Sequence, residues 1–250
     1  MPNGGNLGDA MIASATIQGF NKYNISWDFI FGNEGCINNA DMLVYGGGGS
    51  LVPRYKGGIE CVQYLLSIGS KVVVLPQTVH GHVGVWNNAK GLTVFARDNV
   101  SFENISDYRN VEAYFYHDLA TELDVSEEPF SLARGIRDSL IKSERTAHLE
   151  AFRHDGEEIM AKPKPYFDIS GSVYPSMRSE PVIHASTCGL LASLANYTSV
   201  STDRLHTAIA ASLLGIPVDL YDTHHKKNSA VYDSTLRHKY GGTLSFIEAS

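Results

Sequence analysis

Short apolar runs ending in glycine or polar turn residues recur along the chain, separated by stretches with helical spacing. "ADMLVYGGGG" (residues 40–49), "SKVVVLPQT" (70–78) and "LTVFARD" (92–98) each follow this pattern, which predicts short buried strands. Between the first two lies "GGIECVQYLLSIG", where Ile59, Val62, Leu65 and Leu66 have helical spacing and Gly69 marks a stop. Strand, helix, strand is the unit that builds parallel sheets.

After "VEAYFYHDLA" the texture changes. Residues 121–167 are charged, broken by Pro129, Pro163 and Pro165, and weakly periodic. Beyond them "VIHASTCGLLASLANY" predicts a helix, "TSVST" a strand, "DRLHTAIAASLLG" a helix and "IPVDLYD" a strand. No internal repeat is visible. The expected class is α/β with two Rossmann-like lobes, residues 1–122 and 123–250, around a central cleft. Open parallel sheets bind ligands beyond the carboxyl ends of their strands. The polar clusters fall at those predicted ends: Gly46 to Ser50, Gln77 to His82, Arg97 with Asp98, His117 with Asp118, and Thr202 to His206.

Length and composition narrow the class further. The 250 residues suffice for one large domain or two lobes, and 43% apolar with 19% charged residues is ordinary for a globular protein. A net charge of −7 argues against a duplex nucleic-acid binder. Cys36, Cys61 and Cys188 form no CxxC pair, so neither a disulfide framework nor a thiolate zinc site is suggested. No apolar run approaches the roughly 20 residues of a membrane helix, and "MPNGGNLGDA" has no basic-then-apolar leader pattern. A cytoplasmic protein with reduced thiols is expected.

The chemistry concentrates in "STDRLHTAIAASLLGIPV". Thr202 or Asp203 is placed to cap the helix, Leu205, Ile209 and Leu213 form its inward stripe, and Gly215 with Pro217 ends it. Arg204 and His206 fall near the helix start, where the dipole disfavours cations unless an anion meets them. An anionic ligand resolves that conflict; a surface ion pair for Arg204 and a solvated His206 is the plainer alternative. In "NGGNLGDAMI", glycines 4, 5 and 8 before an apolar helical pattern leave backbone N–H groups for an anion, or Asp9 simply caps the helix. The spacing is neither that of a Walker loop nor GxGxxG.

Other segments carry weaker signals. "YGGGGSLV" permits close approach of a ligand or forms a tight turn. His80 and His82 in "QTVHGH" have no clear third ligand, so no metal is expected. "ARDNVS" offers Arg97, with Asp98 as a helix cap, and "YHDLA" offers His117 and Asp118. His224, His225, Lys226 and Lys227 form a local basic patch in an acidic chain.

In order and spacing, "GNLGD", "YGGGGSL", "VVLPQT", "ARD", "HD" and "TDRLHTAIAASLLGIPV", followed by "KKNSAVYDSTL", resemble the polysaccharide pyruvyl transferase family over nearly the whole chain. The resemblance implies a two-lobed fold similar to GT-B glycosyltransferases. It also implies an enzyme that moves a pyruvyl group from phosphoenolpyruvate to sugar hydroxyls, usually as a cyclic ketal, with no cofactor beyond that donor. The family's Arg-Leu-His motif, associated with the phosphoenolpyruvate site, falls on Arg204 and His206, and its GNxGD motif on Asn6, Gly8 and Asp9. Family members carry a β-strand before that motif; only Met1 to Gly5 precede it here, so the N-terminal lobe is expected to lack a central strand and the interlobe linker to be brief.

Phosphoenolpyruvate carries a carboxylate and a phosphate, and guanidinium groups match both by paired hydrogen bonds. Arg204 and Arg97 are therefore the expected clamps, Lys226 or Lys227 a further point charge, and Gly48, Gln77 and His117 complete the substrate-binding set. Ketal formation needs an acid and a base. His206, an imidazole beside the anion site, is the expected acid, and Asp9 or Asp118 the base. Tyr45, Tyr55 and Trp86 are candidate stacking surfaces for the sugar. The resemblance implies acceptors in exopolysaccharide or cell-wall units, often lipid-linked, and hence peripheral association with the inner membrane face. Two alternatives stay open: a GT-B-like glycosyltransferase using a nucleotide sugar, and a non-catalytic sugar- or phosphate-binding relative. Nothing in the sequence sets the oligomeric state.

Overall fold

The computed structural model describes residue 2 and residues 4–30, 40–69, 71–142, 147–156, 167–223 and 226–248. The chain divides into two compact units, Met1–Asn3 with Gly19–Leu119, and Gly4–Gln18 with Ala120–Ser250. The division falls close to the expected residue 122. It differs in one important respect: Gly4–Gln18, expected in the N-terminal lobe, belong to the second unit.

The first unit is a parallel sheet with strand order β1-β3-β4-β5, where β1 is Leu43–Tyr45, β3 Val72–Val79, β4 Leu92–Ala96 and β5 Val111–Phe115. Strand β2 (Gly48–Leu51) also pairs with β3, beside its second half, while β1 lies beside its first. The two are thus one interrupted strand, broken at Gly46 and Gly47. Gln77 stitches the break: its Nε2 donates to Gly46 O at 2.7 Å and its Oε1 accepts from Ser50 N at 3.1 Å. Gly48 sits at φ 138°, a backbone shape that a side chain would strain. Pro76 lies in β3 where its register with β4 shifts between Val74 and Gln77, consistent with a residue that has no N–H to donate. Helices α2 (Lys56–Ile68), α3 (Val83–Asn88) and α4 (Asn99–Ser106) supply the crossovers. Ile59, Val62 and Leu65 of α2 pack into the same core as Val72, Val74, Leu92, Val94 and Ile105. The predicted βαβ pattern is observed.

The second unit holds another parallel sheet, in the order β6-β7-β8-β9: His148–Ala151, Ser199–Thr202, Val218–Tyr221 and Leu244–Ile247. The other elements of this unit include α5 (Ser131–Lys142), α6 (Glu180–Leu194), α7 (Leu205–Leu213), α8 (Lys227–Val231) and α9 (Arg237–Tyr240), with a π-helical turn at Tyr232–Leu236. The start of α1 (Leu7–Lys22) packs here, and Ser14 Oγ bonds Thr187 Oγ1 at 2.8 Å and His184 Nδ1 at 3.0 Å on α6. Ile183, Leu190, Leu191 and Leu194 of α6, with Ala208, Ile209 and Ala211 of α7, are buried. Helix α7 is apolar almost all round, which suits a helix buried within its unit. Both sheets are parallel and Rossmann-like, as expected for the α/β class. Among the described residues no helix is long and apolar enough to cross a membrane.

Candidate functional site

In the second unit, polar residues that follow the carboxyl ends of three adjacent strands are tied to one another. Thr202, the last residue of β7, donates to Ala151 O on β6 at 2.5 Å, and its hydroxyl accepts from Arg204 N at 3.0 Å. Asp203 Oδ1 accepts from Arg153 N at 2.8 Å, and Asn228 Nδ2 donates to Asp203 O and Tyr221 O, both at 2.8 Å. The sequence predicts Thr202 or Asp203 as the cap of α7, but neither caps it; the N-cap is Arg204, with no side-chain cap bond. Thr202 holds the turn before the helix and Asp203 the neighbouring strand end.

Arg204 is 7% exposed, and its guanidinium is paired with two carboxylates. Its Nε donates to Asp168 Oδ1 at 2.9 Å, Nη2 pairs with Asp168 Oδ2, and Nη1 lies 3.0 Å from Asp155 Oδ2. Asp155 is in turn gripped by Arg153, whose Nε and Nη2 donate to Oδ1 at 2.7 Å and Oδ2 at 2.9 Å. The conflict of a cation at a helix start is therefore met by protein carboxylates, and the ion pair is buried, not at the surface. Burial by itself lowers the Arg204 pKa; the Asp168 hydrogen bond and the charges of Asp168 and Asp155 outweigh it and Arg153, and raise it above the ordinary value. For Asp203 burial dominates and pushes the carboxyl up, against the Arg153 N–H and the charges of Arg153 and Arg204.

The GNLGD turn meets this cluster. Asn6 precedes α1, its Oδ1 accepts from Gly8 N at 2.8 Å, and its own N–H donates to Asp9 Oδ2 at 3.0 Å, a reciprocal capping arrangement. Leu7 N donates to Ser170 O at 3.1 Å. The N–H groups of Leu7 and Gly8, expected to be open to an anion, are thus bonded within the protein. The turn does something else. A Cβ on Gly8 would stand 2.5 Å from His206 Nδ1, so the imidazole lies against its backbone. A Cβ on Gly171 would likewise stand 2.6 Å from Arg204 Nη2, and Gly171 N donates to Asp168 Oδ1 at 2.9 Å. The GNLGD turn, the 168–171 turn and the Arg-Leu-His motif are consequently one assembly.

The profile of the polysaccharide pyruvyl transferase family matches residues 6–224, from the GNLGD turn to beyond the Arg-Leu-His helix. The chain belongs to that family. A crystal structure described as "a functional uncharacterized protein KP1_0663" from Klebsiella pneumoniae subsp. pneumoniae NTUH-K2044 is similar over 99% of this chain and 91% of that one, with 31% identity and a TM-score of 0.81. A search of curated proteins found no match.

The first unit of this pyruvyl transferase family member gathers other expected residues. Arg97, 3% exposed, donates from Nε to Thr78 Oγ1 at 2.9 Å and from Nη1 to Asp118 Oδ2 at 2.7 Å. A Cβ on Gly49 would stand 2.9 Å from its Nη2. Arg97 and Asp118 are each other's partners in a buried ion pair, which departs from their separate expected roles as anion clamp and base. Asp98 caps α4 as expected, accepting from Ser101 N at 2.7 Å. Gln77 and Gly48 shape the strand break, and the ring of His117 stacks on Tyr116 with centroids 4.1 Å apart. Two of the expected sugar-stacking rings are core residues: Tyr45 is 2% exposed with its hydroxyl 3.0 Å from Ser50 Oγ, and Trp86 is fully buried with Nε1 on Gly81 O. Tyr55 is exposed.

In the basic patch, Lys226 is exposed with a left-handed backbone at φ 51°, while Lys227 is buried at the start of α8; His224 and His225 lie outside the described residues, as does Cys36. Among the described residues no group of three or more His, Cys, Asp or Glu is arranged to hold a metal. Sequence reasoning missed Arg153, Asp155, Asp168 and Gly171. The available signal was "HLEAFRHDG", an apolar-then-polar strand end like the others but hidden in a charged stretch.

Proposed function

We propose that the protein transfers the pyruvyl group of phosphoenolpyruvate to two hydroxyls of a sugar, forming a ketal and releasing phosphate. The observation that supports this reading is the packing of His206, two residues after Arg204, against Gly8, a contact between the GNLGD turn and the Arg-Leu-His motif, both within the residues matched by the family. A guanidinium and an imidazole two positions apart in one motif suit a donor bearing two anionic groups and an enol that must be protonated.

In this reading Arg204, held side-on by Asp168, turns the Nη1 edge that now faces Asp155 to the donor's anion, and Lys226 or Lys227 adds a point charge. His206 delivers a proton to the terminal enol carbon. A sugar hydroxyl then attacks the cationic central carbon and gives up its proton, the carbon–oxygen bond to phosphate breaks, and a second hydroxyl closes the ketal. One of the two hydroxyl protons replaces that lost by His206 and the other leaves with phosphate. Asp9 is a better base than Asp118 on this geometry, because Asp9 is half-buried next to Gly8 whereas Asp118 is fully buried on Arg97. Asn6 and Gly8 act by shaping the turn. Sugar units of exopolysaccharide or cell-wall polymers, lipid-linked at the inner face of the cytoplasmic membrane, are the proposed acceptors.

A thermal-shift comparison separates this reading from its rival that uses nucleotide sugars. Phosphoenolpyruvate at saturating concentration is expected to raise the melting temperature and a nucleoside diphosphate not to, since a ligand selective for the folded state adds to its stability. The reverse order overturns the proposal. A second reading, a non-catalytic binding relative, draws on the neutralisation of both Arg153 and Arg204 by carboxylates; release of phosphate dependent on a sugar acceptor excludes it.

A further inference from the structure

We infer that Arg153 is a second guanidinium of the anion site, and that the Asp155 carboxylate stands where a substrate anion binds, so the substrate must displace it. The inference rests on the pyruvyl-transfer reading for the identity of that anion, but the geometry stands alone. Two guanidinium groups converge on one carboxylate: Arg153 through Nε and Nη2 at 2.7 and 2.9 Å, and Arg204 through Nη1 at 3.0 Å. A paired fork with a third donor from another side is the manner in which proteins hold carboxylates and phosphates.

The two carboxylates on Arg204 are not equivalent. Asp168 has a side chain 10% exposed, takes the Nε edge, and is fixed by Gly171 N. Asp155 has a side chain 34% exposed and lies only two residues from the arginine it pairs with, on an irregular stretch after β6. Asp168 thus orients Arg204, and Asp155 is the exchangeable partner. Arg153 itself is anchored by the bond from its backbone N to Asp203, the residue before Arg204, so the two guanidinium groups would keep their spacing when Asp155 leaves. Arg153 is then a binding residue and Asp155 sets how tightly the donor is held.

The test is calorimetric titration of the full chain with phosphoenolpyruvate and, separately, with inorganic phosphate. Asp155→Asn is expected to bind phosphoenolpyruvate about tenfold more tightly than the wild type, because the competing charge is gone, and Arg153→Lys about tenfold more weakly, because an ammonium has no fork. A gain in affinity is a result that mere structural damage does not produce. If the wild type binds phosphoenolpyruvate and Asp155→Asn binds it no more tightly, the displacement is wrong while the donor reading stands. If Asp155→Asn tightens phosphate alone and neither protein takes phosphoenolpyruvate, the exchange is supported and the donor reading fails. Binding of neither anion by either protein overturns the inference. Should Asp155→Asn not fold, Arg153→Lys decides: undiminished phosphoenolpyruvate binding there removes Arg153 from the site.

Discussion

The imidazole of His206 rests on the backbone of Gly8, with Nδ1 2.5 Å from the point where a Cβ on that glycine would stand. The contact explains why a glycine is required inside the first turn of a helix, where alanine is intrinsically better by about 1 kcal/mol. Gly8→Ala must move the ring. Overpacking costs about 1–3 kcal/mol, partly offset by helix propensity, so the fold is expected to survive. Pyruvyl transfer is expected to fall about a hundredfold, as misplacement of a reacting group by about 1 Å does. A folded Gly8→Ala protein with unchanged turnover would show that the contact is only packing.

Asp168→Asn tests the orientation of Arg204. Removing one carboxylate leaves a buried guanidinium with part of its charge unmet, and breaking such a pair costs about 3–5 kcal/mol. Urea unfolding is expected to report a loss of that order, together with weaker phosphoenolpyruvate binding in the folded fraction. A variant as stable as the wild type would mean that Arg204 finds a replacement partner.

Asp203 gives a dependence on pH with a definite sign. Burial raises its carboxyl above the ordinary value, so the folded form holds the proton more tightly than the unfolded chain. As pH rises from the ordinary carboxyl range through that raised value, Asp203 therefore subtracts progressively from stability. Asp203→Asn keeps an oxygen for Arg153 N and removes the charge. The difference in unfolding free energy, variant minus wild type, is expected to climb with pH across that window and level off above it. A difference that falls with pH would show that the native state favours the ionised form.

Gln77→Ala tests the strand break in the first unit. Gly46 O and Ser50 N both lose their side-chain partner, and the expected destabilisation is about 1–3 kcal/mol by denaturant melt. No change would mean that the glycine stretch holds its own shape.

Much of the fold was legible because strand ends in this chain are sharply marked: "VVVLPQT", "TVFARD" and "SVSTD" each run from apolar to polar within a few residues, and β3, β4 and β7 lie there. The Arg-Leu-His helix was legible for the same reason. The partners of Arg204 were not, because Asp155 and Asp168 are 49 and 36 positions away in the sequence and only the fold brings them near. Periodicity reports which face of an element is buried, but it carries no information on which charges pair across loops. The same limit applies to Tyr45 and Trp86, aromatic residues whose polar atoms find partners in the core. The assignment of residues 4–18 to the second unit was hidden likewise, since α1 looks like any helix that opens a sheet.

The most direct test of the site is phosphate release from phosphoenolpyruvate in the presence and absence of a panel of pyranoside acceptors, with wild type and His206→Ala side by side and product mass as the readout. The wild type is expected to release phosphate only with an acceptor, yielding a pyruvyl ketal, and His206→Ala to be slower by about 10²–10⁴. Equal turnover by the two proteins, or no acceptor-dependent release by the wild type, would contradict it.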